Sequence, residues 1–192
     1  MSGLKLSKRR STILVGGNAS GDLKLTPLWI HNSKRPRAFK NVNMDRLPVF
    51  WNSNKKAWMT TVVFEEWFKV HFVPEVLKFC RRKKIGFKIL LILDNCSSHP
   101  DLSHLSENVE FLFLPPNTTS LIQPMDQGVI ATLKALYKKI TFAEAHRTHD
   151  TLVEFYQHYD GYFLCDHFLL KNSFIYTNVR FISYFRLLVF GR

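Results

Sequence analysis

Cysteine and glycine are both scarce in this chain of 192 residues. There are three cysteines, Cys80, Cys96 and Cys165, without paired spacing, and 8 glycines. The cysteine pattern argues against a disulfide scaffold and a structural zinc site, and it favours a reducing, intracellular compartment. The glycine-rich motifs G-x-G-x-x-G and G-x-x-x-x-G-K-[ST] are missing, which argues against nucleotide binding of those kinds. The sequence therefore predicts no small-molecule cofactor.

Long apolar runs are also missing. A transmembrane helix needs about 20 consecutive apolar residues, and the apolar-rich stretch Phe174–Phe190 is interrupted by Asn178, Arg180 and Arg186. Residues 1–10 are basic and lack an apolar core, so no secretory signal is expected. We therefore expect no contact with a membrane.

Acidic side chains are rare in the first part of the chain. Residues 1–60 hold 12 Lys and Arg but only 2 Asp and Glu, and the whole chain carries a net charge of +12. Such clustering favours a polyanionic partner, most often nucleic acid. A basic, solvated face without a partner is the alternative.

The first half of the chain combines a predicted hairpin, a loop and helices. Residues 11–15 and 25–30 are extended apolar runs around turn residues, which predicts a β-hairpin. Residues 33–54 predict a long loop with one short strand at 48–51. An apolar stripe with helical spacing then predicts a helix with Thr60 or Thr61 as its cap, and a second helix from Pro74 to the basic run 81–84. The stripe consists of Phe64, Trp67, Phe68, His71 and Phe72.

The second half predicts two strands and a helix. Residues 87–93 and 109–114 are continuous apolar runs of strand length, so we expect strands buried on both faces. A helix follows Asp126, and its predicted buried stripe is Val129, Ile130, Leu133, Leu136, Tyr137 and Ile140. The elements together predict a mixed α/β fold.

Two carboxylates are candidates for chemistry. Asp94 ends the first buried strand and Asp126 directly precedes the helix, so both side chains are expected at one edge of the sheet. Carboxylate oxygens there suit Mg²⁺ or Mn²⁺. The alternatives are that Asp126 is an ordinary helix cap and that Asp94 belongs to an ordinary turn.

Several sequence motifs resemble those of one family. Residues 93–100 read LDNCSSHP, and residues 113–130 read FLPPNTTSLIQPMDQGVI. Both closely resemble the DDE transposase core of the pogo branch of the Tc1/mariner superfamily, which includes the Tigger, jerky and centromere protein B relatives. Residues 14–21 (LVGGNASG), 36–41 (PRAFKN) and 54–60 (NKKAWMT) also fit. The resemblance covers roughly residues 5–145.

The resemblance implies an RNase H-like fold, in which a mixed sheet is flanked by helices. Asp94 matches the second catalytic acid of the family and Asp126 the third, and such acids gather Mg²⁺ or Mn²⁺ for DNA strand cleavage and joining. One interpretation of His99 is that it orients the loop after the strand. DNA as partner and a nuclear localisation follow from the same resemblance.

Two departures from the family qualify these implications. The first catalytic acid lies on an opening strand that we expect this chain to lack, and neither Asp22 nor Asp45 is placed to replace it. Its loss should weaken metal binding and leave a sheet edge unpaired. We also expect residues 1–145 to be a partial endonuclease domain and residues 146–192, which hold many Phe and Tyr, to be a tail unlike the family.

Three hypotheses remain at this point. The first is a catalytically impaired, transposase-derived protein that binds DNA through basic side chains. The second is a Mg²⁺-dependent DNA endonuclease or strand-transfer domain that uses Asp94 and Asp126. The third is a non-functional remnant of a decayed element. The predicted DNA contacts are Lys34, Arg35, Arg37, Lys40, Arg46, Lys55 and Lys56. The sequence does not predict an oligomeric state.

Overall fold

A computed structural model describes residues 11–36, 39–115, 128, 130–148 and 185–187. These residues form a mixed fold of helices and small sheets, as the sequence predicts. The strands are β1 (Thr12–Leu14), β2 (Leu28–His31), β3 (Phe50–Ser53), β4 (Ile89–Leu93), β5 (Val109–Phe113) and β6 (Phe185–Leu187). The α-helices are α1 (Thr61–Trp67), α2 (Val73–Lys83) and α3 (Ile130–Thr148).

The first sheet contains the predicted hairpin. Strands β1 and β2 pair antiparallel with Thr12 opposite Ile30, and an isolated bridge between Gly17 and Lys24 extends the pairing. Strand β3 pairs parallel to β2, so the sheet order is β1-β2-β3. The strand predicted at residues 48–51 therefore exists but begins two residues later, at Phe50.

Polar contacts fix the hairpin against α2. In the hairpin turn, the buried Asn18 side chain accepts the Leu23 N–H at 2.9 Å. The Asp22 carboxylate lies 2.7 Å from Lys83 Nζ, and this ion pair, with hydrogen bonds from Ser20 and Asn18, lowers the pKa of Asp22. Glu75 of α2 also accepts the N–H of Thr26 at 3.1 Å. Asp22 is thus a turn residue, as predicted.

The helical segment after β3 is continuous rather than divided. Helix α1 passes into a π turn at Phe68–Phe72, and α2 begins at the next residue. Pro74 lies in the first turn of α2, as predicted. Proline has no N–H to donate to the carbonyl of Val70, and its ring would clash with that carbonyl in an α-helix. The wider π turn accommodates the ring, so no loop is needed.

The second sheet has the order β5-β4-β6. Strands β4 and β5 pair in parallel with Ile89 opposite Val109, and β6 pairs antiparallel to β4. The prediction of an unpaired sheet edge is therefore wrong for β4, because β5 pairs with one edge of β4 and β6 with the other. The prediction that both strands are buried on both faces is also wrong. Leu91 of β4 is buried, but Leu112 of β5 is 45% exposed, because the described elements cover only one face of β5.

One hydrophobic cluster joins both sheets to the helices. Its buried members include Leu28 and Ile30 of β2, Phe64 of α1, and Ile89 and Leu91 of β4. A second cluster contains Trp29, Phe39, Leu47 and Val49. Helix α3 packs against this second cluster through four of its predicted stripe residues, which are Leu133, Leu136, Tyr137 and Ile140. Val129, another predicted stripe residue, lies outside the described residues.

The helix cap offers a direct test of this fold. The Thr60 hydroxyl accepts the Val63 N–H at 3.3 Å, whereas Thr61 is exposed within the first turn. We expect Thr60→Ala to lower the free energy of unfolding by about 1 kcal/mol, because a helix N–H loses its partner. Thr61→Ala is the matched control and should change it by less than about 0.5 kcal/mol. Urea denaturation measures both, and equal effects would contradict this cap assignment.

Candidate nucleic-acid interface and carboxylate site

Asp94 lies directly after β4, at its carboxyl end, as the sequence predicts. His99 folds back over this position and places its Nδ1 atom 2.5 Å from Oδ1 of Asp94. The imidazole ring also packs against Phe64 of the core, with ring centroids 4.8 Å apart. A hydrophobic contact and a polar one thus fix His99 beside the carboxylate.

The hydrogen bond from His99 determines the electrostatics of this site. It lowers the pKa of Asp94, although partial burial opposes the shift. The carboxylate is therefore ionised at neutral pH. Its side chain keeps 32% of its surface exposed, so solvent and ligands can reach it.

The donor chemistry at Asp94 fits one carboxylate ligand of a Mg²⁺ or Mn²⁺ site. Its predicted partner Asp126 lies outside the described residues. Within the described part of the chain, no group of three or more His, Cys, Asp or Glu side chains could hold a metal ion. Asp94 alone would be a weak ligand, because such sites draw on further carboxylates or on substrate phosphates.

A separate open cleft collects several of the predicted DNA contacts. Its volume is about 1150 Å³, and one wall is β3. Lys34, Arg35 and Lys40 line it, and all three side chains are exposed. The Arg35 guanidinium donates to the backbone carbonyl of Lys40 at 3.4 Å, which fixes the Arg35 side chain beside the Lys40 backbone.

The helical segment after β3 adds His71 and Glu66 to the lining of this cleft, and both contact β3. The His71 ring stacks on Phe50, with centroids 3.6 Å apart, and burial lowers the pKa of His71. Glu66 accepts a hydrogen bond from Asn52 at 2.9 Å. His71 is therefore neutral at neutral pH, and the positive charge of the cleft comes from its lysine and arginine side chains.

The remaining predicted DNA contacts lie around this cleft. Arg46 ends a short 3-10 helix, Met44–Arg46, whose first two residues line the cleft. Lys55 and Lys56 are exposed on the turn that follows β3. Arg37 lies outside the described residues. Six of the seven predicted contacts are thus described, and three of them share one cleft.

Sequence reasoning missed two features of these sites. The stacking of Phe50 on His71 joins residues from a strand and a helix, and nothing in their spacing indicates it. Trp58, on the turn next to the cleft, was also missed, although it is 52% exposed and comes two residues after Lys56. The adjacency of aromatic and basic residues was the signal that could have identified it.

The fold and the strand-end carboxylate define an α+β domain with a polar site at one sheet edge. Residues 8–164 match the family described as DDE superfamily endonuclease. That match covers more than half of the chain, so the chain belongs to this family. Within the family it is a transposase-derived protein of the pogo-like group, as the sequence words predict.

Three relatives illustrate the similarity. Tigger transposable element-derived protein 7 of Homo sapiens is 38% identical over 143 residues, which are 71% of this chain and 26% of that protein. Jerky protein homolog of Homo sapiens is 40% identical over 132 residues, 66% of this chain and 23% of that protein. ARS-binding protein 1 of Schizosaccharomyces pombe is 34% identical over 147 residues, 71% and 26% respectively.

The chain spans about a quarter of the length of these curated relatives. No solved structure matches it. Among the helices of the described segments, none combines the length and the hydrophobicity that a bilayer crossing requires.

The Asp94–His99 contact predicts a measurable pKa change. We expect His99→Ala to raise the pKa of Asp94 toward the ordinary value of about 3.9, because the carboxylate loses its donor. The lowered pKa means that this contact stabilises the folded state above about pH 4 and loses that contribution as the pH falls through the folded pKa. Carboxyl ¹³C NMR titration measures the pKa directly.

His104→Ala is the control for this titration, because His104 is an exposed histidine on the next short helix. It should leave the titration of Asp94 unchanged. An unchanged Asp94 pKa in His99→Ala would contradict the assignment of His99 as the donor.

Proposed function

We propose that this chain is a DNA-binding protein derived from a DDE transposase core, with impaired catalysis. The observation that carries the proposal is the convergence of Lys34, Arg35 and Lys40 on one open cleft. Exposed lysine and arginine side chains that face a common space are suited to successive phosphates of one DNA backbone.

The charge around the cleft supports this reading. Three cations and two carboxylates, Asp45 and Glu66, line the cleft, so its lining carries an excess of one positive charge. Arg46, Lys55 and Lys56 extend the basic surface beyond the cleft. DNA bound here would be held mainly through its phosphates, which predicts affinity with little sequence preference.

The relatives add independent support. One of them is called ARS-binding protein 1, and it shares 34% identity with this chain. We propose DNA as the partner of this chain on the basis of that similarity together with the basic cleft. A nuclear localisation belongs to the same proposal.

The proposed loss of catalysis depends on the acids. Residues 1–60 contain two acidic side chains, Asp22 and Asp45. Asp22 is held in an ion pair with Lys83 in the hairpin turn, and Asp45 lies on a short exposed helix beside the cleft. Neither is placed at a strand end beside Asp94, so neither is assigned to the metal site, and its proposed ligands within residues 1–192 are Asp94 and Asp126. Two ligands would hold Mg²⁺ or Mn²⁺ weakly, and that ion would supply charge stabilisation at the cleaved phosphate.

The finer fold assignment is part of the same proposal. We propose that residues 1–145 are a partial RNase H-like domain and that residues 146–192 are a tail of different character, with α3 continuing to Thr148 and the family match to residue 164. The pairing of Leu91 with Phe185 supports a role for this tail in filling the edge of β4. Among the described strands, β6 is the one that pairs with that edge.

Salt dependence tests the DNA-binding proposal. The logarithm of the association constant for a duplex should fall linearly with the logarithm of salt concentration. A triple variant, Lys34→Ala with Arg35→Ala and Lys40→Ala, should reduce the magnitude of that slope by about 2 to 3, because each lost phosphate contact removes about 0.9. Fluorescence anisotropy at several salt concentrations measures the slope.

A matched control removes the same charge elsewhere. Lys134, Lys138 and Lys139 are exposed on α3, and replacing all three by alanine changes the net charge equally. The slope should then fall by less than about 1. Equal losses in the two triple variants would contradict a role for the cleft, and a wild-type slope near zero would reject the proposed function.

The alternative function is a Mg²⁺-dependent DNA endonuclease or strand-transfer domain. The observation that favours it is the ionised, solvent-accessible Asp94 at the end of β4. If it holds, supercoiled plasmid should be nicked with Mn²⁺, and Asp94→Asn should abolish nicking, since the amide keeps a hydrogen-bond acceptor for His99 but loses the charge.

Asp101→Asn is the control for nicking, because Asp101 is an exposed aspartate seven residues away that bonds to Ser103. It should leave any nicking unchanged. Nicking that persists equally in Asp94→Asn would exclude the endonuclease alternative.

A further inference from the structure

The turn after β3 is held in one conformation by four hydrogen bonds. The Asn54 side chain donates to the Trp58 carbonyl at 2.6 Å and accepts the Trp58 N–H at 3.1 Å. The Ala57 N–H donates to the Asn54 carbonyl at 2.9 Å, and the Thr12 hydroxyl donates to the Ala57 carbonyl at 2.8 Å. The turn is therefore closed on itself and fixed to β1.

The backbone of this turn is shaped around Ala57. Its φ angle is 53°, which is uncommon for a residue with a side chain, and the residue is buried. Because Ala57 turns inward, the flanking residues face outward. Lys55, Lys56 and Trp58 are all exposed on the same short segment.

Trp58 differs from the buried tryptophans of the chain. It is 52% exposed, whereas Trp29 and Trp67 are 3% and 5% exposed. The ammonium group of Lys56 lies 5.6 Å from the centre of the indole ring, so it is over the aromatic face. A hydrogen-bonded turn thus presents a large aromatic ring together with two cations to solvent.

We propose that Trp58 stacks on an unpaired base of bound DNA while Lys55 and Lys56 contact the flanking phosphates. This inference rests on the proposed function, since it adds a base contact to the phosphate contacts of the cleft. Proteins hold unpaired bases by combining aromatic rings, on which the bases stack, with cations that contact the backbone, and this works for any base because each has a π face.

The surroundings favour DNA over a protein partner. No acidic residue occurs between Asp45 and Glu65, so the segment is purely basic. Lysine is depleted in protein–protein interfaces but suits phosphates. Asn52 and Ser53, directly before the turn, line the basic cleft, so one DNA strand could pass from the cleft to Trp58.

The test compares DNA with and without unpaired bases, using the full 192-residue chain. Trp58→Ala should weaken binding of a single strand, and of a duplex with one extrahelical base, by roughly tenfold, since stacking on one base contributes that order of affinity. Binding of the intact duplex should change by less than about twofold, and the salt slope should stay the same, because no charge is removed.

Two further substitutions separate stacking from apolar contact. Trp58→Phe keeps an aromatic face and should retain most of the affinity for unpaired bases. Trp58→Leu keeps apolar volume without an aromatic face and should bind as weakly as Trp58→Ala. A midpoint of thermal unfolding equal to that of the wild type would show that each variant is folded. Phe142→Ala is the matched control, because Phe142 is 47% exposed on α3, and it should bind like the wild type.

The outcomes distinguish this inference from the proposed function. If the wild type binds DNA with the expected salt dependence but Trp58→Ala matches it on DNA with an unpaired base, stacking is rejected and the basic cleft stands. An equal loss on the intact duplex, or full rescue by Trp58→Leu, also rejects stacking. A self-association measured by sedimentation that Trp58→Ala abolishes would assign the ring to a protein contact instead. A wild type without salt-dependent binding would reject the proposed function itself.

Discussion

The apolar face of the continuous helical segment is the constraint on which the rest of the described structure depends. Phe64, Phe68 and Phe72 are almost fully buried, and they form one cluster with Ile30 of the first sheet and Leu91 of the second. Neither three-stranded sheet could bury its face alone. The helix therefore supplies the common core that sets the position of both sheets.

This core also positions the two polar sites. Phe64 contacts His99, which holds Asp94, so the carboxylate is fixed through the helix as well as through β4. On the same helical segment, His71 stacks on Phe50 and lines the basic cleft. A change of helix register would displace both sites together, because each is in direct contact with the stripe. Pro74 and the π turn before it are part of that register.

The basic surface and the acidic site remain separate in chemistry. The cleft gathers exposed positive side chains on an open surface. Asp94 instead is partly buried beside an imidazole that stabilises its charge. A protein of this kind could lose catalysis and keep DNA binding. DNA affinity comes from exposed cations and does not require the carboxylate to hold a metal ion. A DDE endonuclease family is consistent with both DNA binding and metal binding. The proposal that this chain keeps only DNA binding rests on its acidic residues.

The sequence by itself determined the hairpin, the helical stripe, the strands around Asp94 and the family, because each is recorded in local patterns of apolar and turn residues or in contiguous words. It also identified three cations that line one cleft. Only the tertiary structure decided that these cations converge, that β6 pairs with β4, that the helices join through a π turn, and that Asn54 closes a turn under Trp58. Those features join residues far apart in the chain or depend on backbone geometry, and apolar periodicity carries information about burial but none about which distant side chains meet.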